Sequence, residues 1–366
     1  MPQKVSSKHI RECDMRLLSY RAKCGDAFHL QYEGESGKHR NIFLDMGHSK
    51  TYTQVLKGVI SNILGASEQI DALFLSHIHD DYIGGATRFI NDIQKYSALG
   101  NVVSRWIYNA PRKYDVEQID DNKAGVLCGI VSGDKVYEYI LSHRPSDLGD
   151  VIEGMSFNID GMTVTILSPD ESKLNMLRRK YSNNRPLCKS ETDEVSVEAG
   201  NVEDDYATPL NDFKTDCFQE DLSIENASSI AALFEREGRR ILWLSDAVPS
   251  VVVNSLMKLG ISEEDKLHCD ALLLSHHGSS ANNSMTLFKM IQADRYIISA
   301  DGINRHCLPN KETVARIVSA STVLPVSIYF NYDDGRLARM FKIDDPKDVI
   351  SQIDIHYLKE MEVIEI

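Results

Sequence analysis

The sequence predicts an α/β protein built from two mixed β-sheets that are covered by helices. Two observations lead to this fold class. Short strand-like segments alternate with helical segments along most of the 366 residues. In addition, the chain divides into two blocks, and each block opens on strands joined by short turns.

The first block begins with three strands, predicted at residues 16–20, 27–32 and 41–46, of which the last two alternate or are rich in β-formers. A helix at 51–64 ends near Gly65. A strand at 72–76 follows, then a tight turn at Gly84-Gly85 and a helix at 86–96. Residues 102–109 read as a strand, 115–143 as one or two helices, and 162–167 as a further strand.

The second block opens near Ser228 with strands at 229–235 and 240–244. The segment Glu237-Gly238-Arg239 between them is typical of a hairpin. Further strands are predicted at 271–274, 295–299 and 326–331, and helices at 249–259, 284–291 and 312–320. This alternation favours strands that share one sheet with helices packed on it.

An acidic segment separates the two blocks. Residues 191–225 contain twelve acidic side chains and one basic side chain, Lys214, and the wider region 170–225 lacks clear periodicity. We therefore predict a single domain over residues 1–366 with an insertion at about 170–225. The insertion is either partly disordered or a lid, and an inert surface loop is the alternative.

Composition limits the class of protein. With 42% hydrophobic and 26% charged residues and no long apolar run, the chain is predicted to be a soluble globular protein without a membrane span or a signal peptide. Seven scattered cysteines without C-x-x-C spacing predict reduced thiols and a cytoplasmic location. The net charge of −14 disfavours non-specific binding to nucleic acid. A polyanionic substrate remains compatible with it, because bound divalent cations invert the local potential.

The most informative motif follows the apolar segment 72–75. It places His77 and His79 two residues apart, with Asp81 two residues further on. In an extended segment this spacing directs both imidazoles to one side, where they could hold one cation. Imidazole and carboxylate ligands suit zinc or manganese. The alternative is a pair of histidines in an ordinary surface loop.

Two later strands also end in residues with suitable chemistry. Asp246 follows the apolar strand 240–244 and could bridge two cations, with capping of the next helix as the alternative. His276 and His277 follow the strand 271–274, and we expect one to ligate metal and the other to orient substrate or a neighbour. His306 could be a proton donor or a plain surface histidine.

Taken together, these clusters resemble the metallo-β-lactamase superfamily, and most closely the metallo-hydrolase domain of bacterial DNA-uptake (competence) channel proteins. The resemblance rests on an ordered series of motifs rather than on any single one. The series consists of Gly25-Asp26-Ala27, His77 to Gly85, Asn226-Ala227-Ser228-Ser229, Leu244-Ser245-Asp246-Ala247 and Ser275 to Ser279.

This resemblance implies an αββα sandwich with one or two divalent metal ions at the edge between the sheets. It implies hydrolysis of phosphodiesters, lactams, lactones or thioesters by a metal-bound hydroxide. One metal would lie on His77 and His79 and would need Asp246, water or a recruited side chain as a further ligand, and a second would lie on Asp81 and His276.

The sequence departs from the family pattern at two places. Tyr82 stands where the H-x-H-x-D-H signature has its last histidine, and Leu167-Ser168-Pro169-Asp170 supplies no histidine. Both proposed metal sites are therefore short of ligands. Tyr82 could instead direct its hydroxyl to the reacting centre as a hydrogen-bond donor.

The leading functional prediction is a metal-dependent phosphodiesterase or nuclease acting on a small nucleotide or a single-stranded end. Asp81 or Asp246 would accept the proton of the attacking water, and His277 or His306 would assist the leaving group. One alternative is an acyl hydrolase acting on lactones or thioesters. Another is a catalytically weak subunit of a multi-protein bacterial assembly, such as an antiviral defence system, that binds a protein partner through the acidic insertion.

Overall fold

The computed structural model describes residues 15–96, 99, 102–112, 128–181, 204–304, 306–332 and 335–366. In these ranges two mixed β-sheets pack face to face and helices cover both outer faces, so the predicted αββα sandwich is confirmed. None of the helices in these ranges is long and apolar enough to cross a bilayer.

The strands are β1 (Arg16–Ser19), β2 (Phe28–Glu33), β3 (His39–Leu44), β4 (Ala72–Leu75), β5 (Trp106–Tyr108), β6 (Ser156–Ile159), β7 (Met162–Ser168), β8 (Ala231–Arg236), β9 (Arg239–Trp243), β10 (Leu267–Cys269), β11 (Ala271–Leu273), β12 (Ile291–Ala293), β13 (Tyr296–Ile298), β14 (Val326–Phe330), β15 (Ile353–Tyr357) and β16 (Val363–Glu365). The α-helices are α1 (Ser49–Thr51), α2 (Lys57–Gly65), α3 (Asp80–Lys95), α4 (Cys128–His143), α5 (Glu171–Tyr181), α6 (Ile224–Ala227), α7 (Pro249–Lys258), α8 (Met285–Lys289), α9 (Lys311–Ala320), α10 (Gly335–Ala338) and α11 (Pro346–Gln352). A π-helical segment, Tyr52–Leu56, joins α1 to α2.

The two sheets share one plan. The first has the order β16-β1-β2-β3-β4-β5, antiparallel up to β3 and parallel from β3 to β5. The second has the order β15-β14-β13-β11-β9-β8-β7-β6, antiparallel from β6 to β9 and parallel from β9 to β15. Strands β15 and β16, which extend one edge of each sheet, were not predicted from the sequence.

The central strands are buried on both faces, which explains why they read as continuous apolar runs. In β4, Phe74 points between the sheets, where its ring centroid lies 5.4 Å from that of Phe234 and 5.9 Å from that of Trp243. Its neighbours Leu73 and Leu75 point to the other face and pack under the helices. Because successive side chains of a strand point to opposite faces of the sheet, β4 contributes side chains to two hydrophobic cores.

Helix α3 begins at Asp80, directly after the H-x-H motif, so the prediction of a turn at Gly84-Gly85 was wrong. Both glycines lie within the helix. A Cβ atom at Gly85 would lie 2.1 Å from the carbonyl oxygen of Met46, so the helix can approach the end of β3 only because this residue has no side chain. Close packing, rather than a turn, is the reason for glycine here.

The acidic region is structured in the part that is described. Residues 182–203 lie outside the described residues, residues 171–181 form α5, and the short turns Asp205–Ala207 and Leu210–Asp212 pack against α9. Asp205 accepts hydrogen bonds from the backbone N–H groups of Lys311 and Glu312, both at 2.8 Å, at the start of α9. Tyr206 and Leu210 are buried in the core beneath them. Asp205 and its neighbours therefore take part in the fold.

Buried His29 makes the stability of this fold depend on pH. Its Nε2–H group donates to Asn41 Oδ1 at 2.9 Å and its Nδ1 atom accepts from the Tyr20 hydroxyl at 3.0 Å, which is the pattern of a neutral imidazole. Burial lowers the pKa of His29 to about 4. In the unfolded chain His29 has the ordinary pKa near 6.5. The neutral, buried imidazole therefore makes its full contribution to the free energy of unfolding above pH 6.5, and this contribution is lost as the pH falls toward 4.

We expect the free energy of unfolding to fall by about 2.5 kcal/mol more between pH 7 and pH 4.5 in the wild type than in His29→Gln. Urea unfolding at both pH values measures this difference. The exposed His39→Gln variant should behave like the wild type. Equal pH slopes in the wild type and His29→Gln would contradict the assignment of a neutral buried imidazole.

Candidate metal centre

Segments that leave the carboxyl ends of three strands meet at one edge of the sandwich. Residues 76–79 follow β4 of the first sheet, residues 244–247 follow β9, and residues 274–278 follow β11. Because β9 and β11 are parallel neighbours, their ends lie side by side, and β4 contributes from the facing sheet. The polar side chains at this edge therefore come from both halves of the chain.

His77, His79 and Asp246 bring potential ligand atoms together. The Nε2 atom of His77 lies 3.0 Å from His79 Nδ1 and 3.5 Å from Asp246 Oδ2. One ligand atom from each residue lies within 4.8 Å of the other two, and this is the one such group of three or more His, Cys, Asp or Glu residues in the described ranges. His77 and Asp246 are buried and His79 is partly exposed.

A hydrogen-bond chain fixes the tautomer of His77. The Ser76 hydroxyl donates to Asp45 Oδ2 at 2.7 Å and lies 3.0 Å from His77 Nδ1. Because that hydroxyl has only one proton, it accepts from the Nδ1–H group, which leaves the lone pair of Nε2 facing the cluster. Burial, with a further contribution from His79, holds the pKa of His77 well below its usual value, so the ring is neutral and ready to coordinate.

Tyr82 occupies the space between Asp246 and His277. Its hydroxyl donates to Asp246 Oδ1 and lies 2.8 Å from His277 Nε2. Since the phenolic proton goes to the carboxylate, the phenolic oxygen accepts from the Nε2–H group of His277. Tyr82 is fully buried, and burial together with the charge of Asp246 raises its pKa well above 10.

His277 donates from both ring nitrogens and therefore carries a positive charge. Its Nδ1–H group donates to the carbonyl oxygen of Ser299 at 2.8 Å, in addition to the bond from Nε2 to Tyr82. Asp26 and Asp81 lie 3.6 and 3.7 Å from the ring nitrogens. Burial lowers the pKa of His277, but these two carboxylates outweigh burial and raise it well above 6.5.

His276 faces the opposite way from His277. Its Nδ1 atom lies 2.9 Å from Asn282 Oδ1 and 3.6 Å from Asp221 Oδ2, and its Nε2 atom lies 3.8 Å from Asp246 Oδ2. The two histidines have φ angles of 46° and 54°, in the left-handed region. Such backbone strain is concentrated at functional sites, and here it separates two adjacent imidazoles into different surroundings.

Asp81 stays ionised at the open side of the cluster. Its side chain is partly exposed and one oxygen lies 3.7 Å from His277 Nε2. Burial tends to raise the pKa of Asp81, but the contact with His277 lowers it far below 3.8. Asp81 therefore keeps its negative charge at neutral pH and can accept a hydrogen bond from water or substrate at this side of the cluster.

Seven of the eight residues proposed from the sequence meet in this cluster, namely His77, His79, Asp81, Tyr82, Asp246, His276 and His277. His306 is exposed on the loop after β13, where its backbone N–H donates to Asn304 Oδ1, and its role as a proton donor stays a prediction. Asp246 does not cap the next helix: α7 begins after Val248, without a side-chain cap.

Sequence reasoning missed the polar residues that orient this cluster. Asp26, Asp45, Asp221, Asn282 and Ser299 each contact a residue of the cluster or its neighbour Ser76. Of these five residues, the sequence drew attention only to Asp26, because the Gly25-Asp26-Ala27 turn belongs to the motif series. Asp221 was part of the acidic block and was not distinguished from its neighbours.

No protein-family model and no curated protein matches this chain. Among solved structures, the metallo-β-lactamase fold protein YhfI from Bacillus subtilis is 10% identical, with 96% of this chain and 99% of that chain covered and a TM-score of 0.41. Zn²⁺-bound PqqB from Methylobacterium extorquens is 9% identical, with 93% and 86% covered and a TM-score of 0.37. A long form RNase Z from yeast is 10% identical, with 97% and 41% covered and a TM-score of 0.39. Similarities at this level identify neither the family nor the activity of this chain.

Proposed function

We propose that this protein is a metal-dependent hydrolase that holds one divalent ion on His77, His79 and Asp246. The observation that carries the proposal is the convergence of these three ligand atoms. The lone pair of His77 Nε2 faces a second ring nitrogen at 3.0 Å and a carboxylate oxygen at 3.5 Å. Three potential ligand atoms this close together could share one cation, and two imidazoles with one carboxylate suit zinc or manganese.

A single ion fits better than two because the side chains around Tyr82 already use their polar atoms in hydrogen bonds. Asp246 Oδ1 accepts from Tyr82, so Oδ2 is the oxygen left for a cation. Both ring nitrogens of His277 donate hydrogen bonds, so neither offers a lone pair to a metal. Within the described residues, Asp81 and His276, the predicted ligands of a second ion, do not belong to a group of three converging ligand atoms.

When bound, a divalent cation supplies Lewis acidity: it lowers the pKa of water and polarises the electrophile. The protein's own residues position the ligands and handle the proton of the attacking water. Tyr82 and His277 hold Asp246 in one orientation, and Ser76 and Asp45 do the same for His77. Asp81, ionised and partly exposed, is placed to accept a proton from water.

A phosphodiester of a small nucleotide or a single-stranded end is the proposed substrate. The motif series that resembles the DNA-uptake hydrolases supports nucleotide chemistry, and the net charge of −14 disfavours long duplex DNA. Lactone or thioester hydrolysis is the competing activity. A partner-binding role for the acidic region has less support, because the described acidic residues Asp205 and Asp221 are engaged within the fold.

Metal analysis and a substrate panel test this proposal. After reconstitution with zinc or manganese we expect about one ion per chain and hydrolysis of bis(p-nitrophenyl) phosphate. Asp81→Ala should keep the ion but lose at least about a hundredfold in turnover, because general-base catalysis contributes about 10²–10⁴-fold. The exposed Asp265→Ala variant is the matched control and should retain wild-type turnover.

Three results would decide against the proposal. Turnover of p-nitrophenyl acetate or a thiolactone without phosphodiester turnover would favour the acyl hydrolase. A metal-loaded protein without any hydrolytic activity would favour a non-catalytic subunit. Equal activity of Asp81→Ala and wild type would exclude the role given to Asp81.

A further inference from the structure

A second group of reactive side chains lies outside the candidate metal centre. It consists of Cys24 in the connection from β1 to β2, His48 just before α1, and Asp80 at the first position of α3. The Cys24 Sγ atom lies 3.7 Å from His48 Nε2, within the range of a hydrogen bond to sulfur. On the other side of the ring, His48 Nδ1 lies 3.7 Å from Asp80 Oδ2. This group shares no residue with the proposed metal ligands.

The arrangement is that of an activated nucleophile and not of a metal site. The thiol and the carboxylate approach opposite nitrogens of one imidazole, so their ligand atoms do not converge on a common point. A nucleophile beside a base that is itself oriented by a third group is the general form of a catalytic triad. Asp80 and Cys24 raise the pKa of His48 to about 9, so the ring is charged at neutral pH, and a cysteine beside a charged histidine is the usual setting of a reactive thiol.

The thiol is both held in place and accessible. Cys24 is partly exposed. Before it, the Lys23 N–H group donates to the Tyr332 hydroxyl at 2.6 Å. After it, Gly25 packs so closely on the carbonyl oxygen of Asp81 that a Cβ atom would lie 2.0 Å away. The turn therefore presents the sulfur to His48 in a fixed position.

Other cysteines of the described ranges provide comparisons within the same molecule. Cys217 is exposed, Cys269 is buried and Cys307 is partly exposed. Burial raises the pKa of Cys269 far above its usual value, so that thiol is unreactive. If exposure alone governed reactivity, Cys217 would react first.

We propose that Cys24 is a nucleophilic thiol activated by His48, and that it is a site of covalent modification by hydroperoxides. In this step the Cys24 sulfur attacks the terminal oxygen of the hydroperoxide, an S–O bond forms and the O–O bond breaks. The sulfur is oxidised by two electrons to a sulfenic acid, and the hydroperoxide is reduced to its alcohol. Charged His48 donates a proton to the departing alkoxide, and the proton that the Cys24 thiol gives up returns His48 to its charged form.

Competitive alkylation tests the activation of Cys24. The folded full-length protein is treated with iodoacetamide at pH 7, and peptide mass spectrometry follows Cys24 and Cys217 in the same sample. An ordinary thiol is only slightly ionised at this pH, so we expect Cys24 to react about tenfold faster than Cys217 despite its lower exposure. In His48→Gln the Cys24 rate should fall to that of Cys217 or below, with the Cys217 rate unchanged.

A second arm tests the oxidation itself. Wild-type protein is treated with tert-butyl hydroperoxide and then with dimedone, and a dimedone adduct is expected on Cys24 and not on Cys217. A Cys24 rate no greater than that of Cys217, or the absence of the adduct, would overturn the proposal. If His48→Gln fails to fold, the ratio of the two rates in the wild type decides alone. None of these readouts depends on bound metal or on hydrolytic activity.

Discussion

The double variant His77→Ala with His79→Ala is expected to bind no metal and to lose phosphodiester turnover by more than about a hundredfold. Loss of an orienting partner alone costs about 10- to 100-fold in metal affinity or activity, and this variant removes two of the three proposed ligands themselves. Elemental analysis after reconstitution and initial rates at saturating metal measure the two effects. Stoichiometry should fall from about one ion per chain to none.

The controls for this variant separate loss of ligands from loss of structure. His39 and His268 are exposed, so their double replacement by alanine removes two imidazoles without touching the cluster. That variant should keep its ion and its turnover. Circular dichroism should show the same secondary structure in all three proteins. Metal retained at wild-type stoichiometry without His77 and His79 would place the centre elsewhere.

Tyr82→Phe is expected to lower the free energy of unfolding by about 3 kcal/mol, although it removes only one oxygen atom. The phenolic hydroxyl donates to Asp246 and accepts from His277, and all three side chains are buried. Hydrogen bonds to charged groups contribute about 1.5–3 kcal/mol each, and an unsatisfied buried partner adds its desolvation cost. Urea unfolding of the metal-free protein measures the change.

Tyr329→Phe is the matched control for this substitution. Its ring stacks on that of His356 at a centroid distance of 4.3 Å, and a phenylalanine would preserve that contact. We expect a change of less than about 0.5 kcal/mol there. A similarly small change in the free energy of unfolding for Tyr82→Phe would mean that water replaces the lost hydroxyl. The hydrogen bond from Tyr82 would then not be needed to hold Asp246 in place.

The order of strands and helices could be predicted from the sequence because local patterns determine it. The apolar runs of β4, β9 and β11 are long enough to be recognised alone, and each ends in the residues that form the site. The start of α3 could not be predicted. Gly84 and Gly85 indicate a turn by their local preference, and only the approach of Gly85 to Met46 explains glycine within a helix.

The candidate ligands were predictable because their chemistry is rare and their setting recurs. Histidines or an aspartate at the end of an apolar strand stand out from the surrounding residues. The role of Tyr82 was not predictable in the same way, because it depends on the distance between two sheets that no local pattern records. The same holds for Cys24 and His48, which are brought together only by the folded chain.

The ligands of the proposed ion come from both sheets, and this has a thermodynamic consequence. An ion that binds the folded state and not the unfolded chain stabilises the protein by RT ln(1 + [M]/Kd), about 2.7 kcal/mol when the free metal is at a hundred times Kd. His77 and Asp246 belong to different halves of the sequence, so the ion ties those halves together. Free metal concentration would then govern how often the sandwich opens, and with it how quickly proteases remove the chain when metal is scarce.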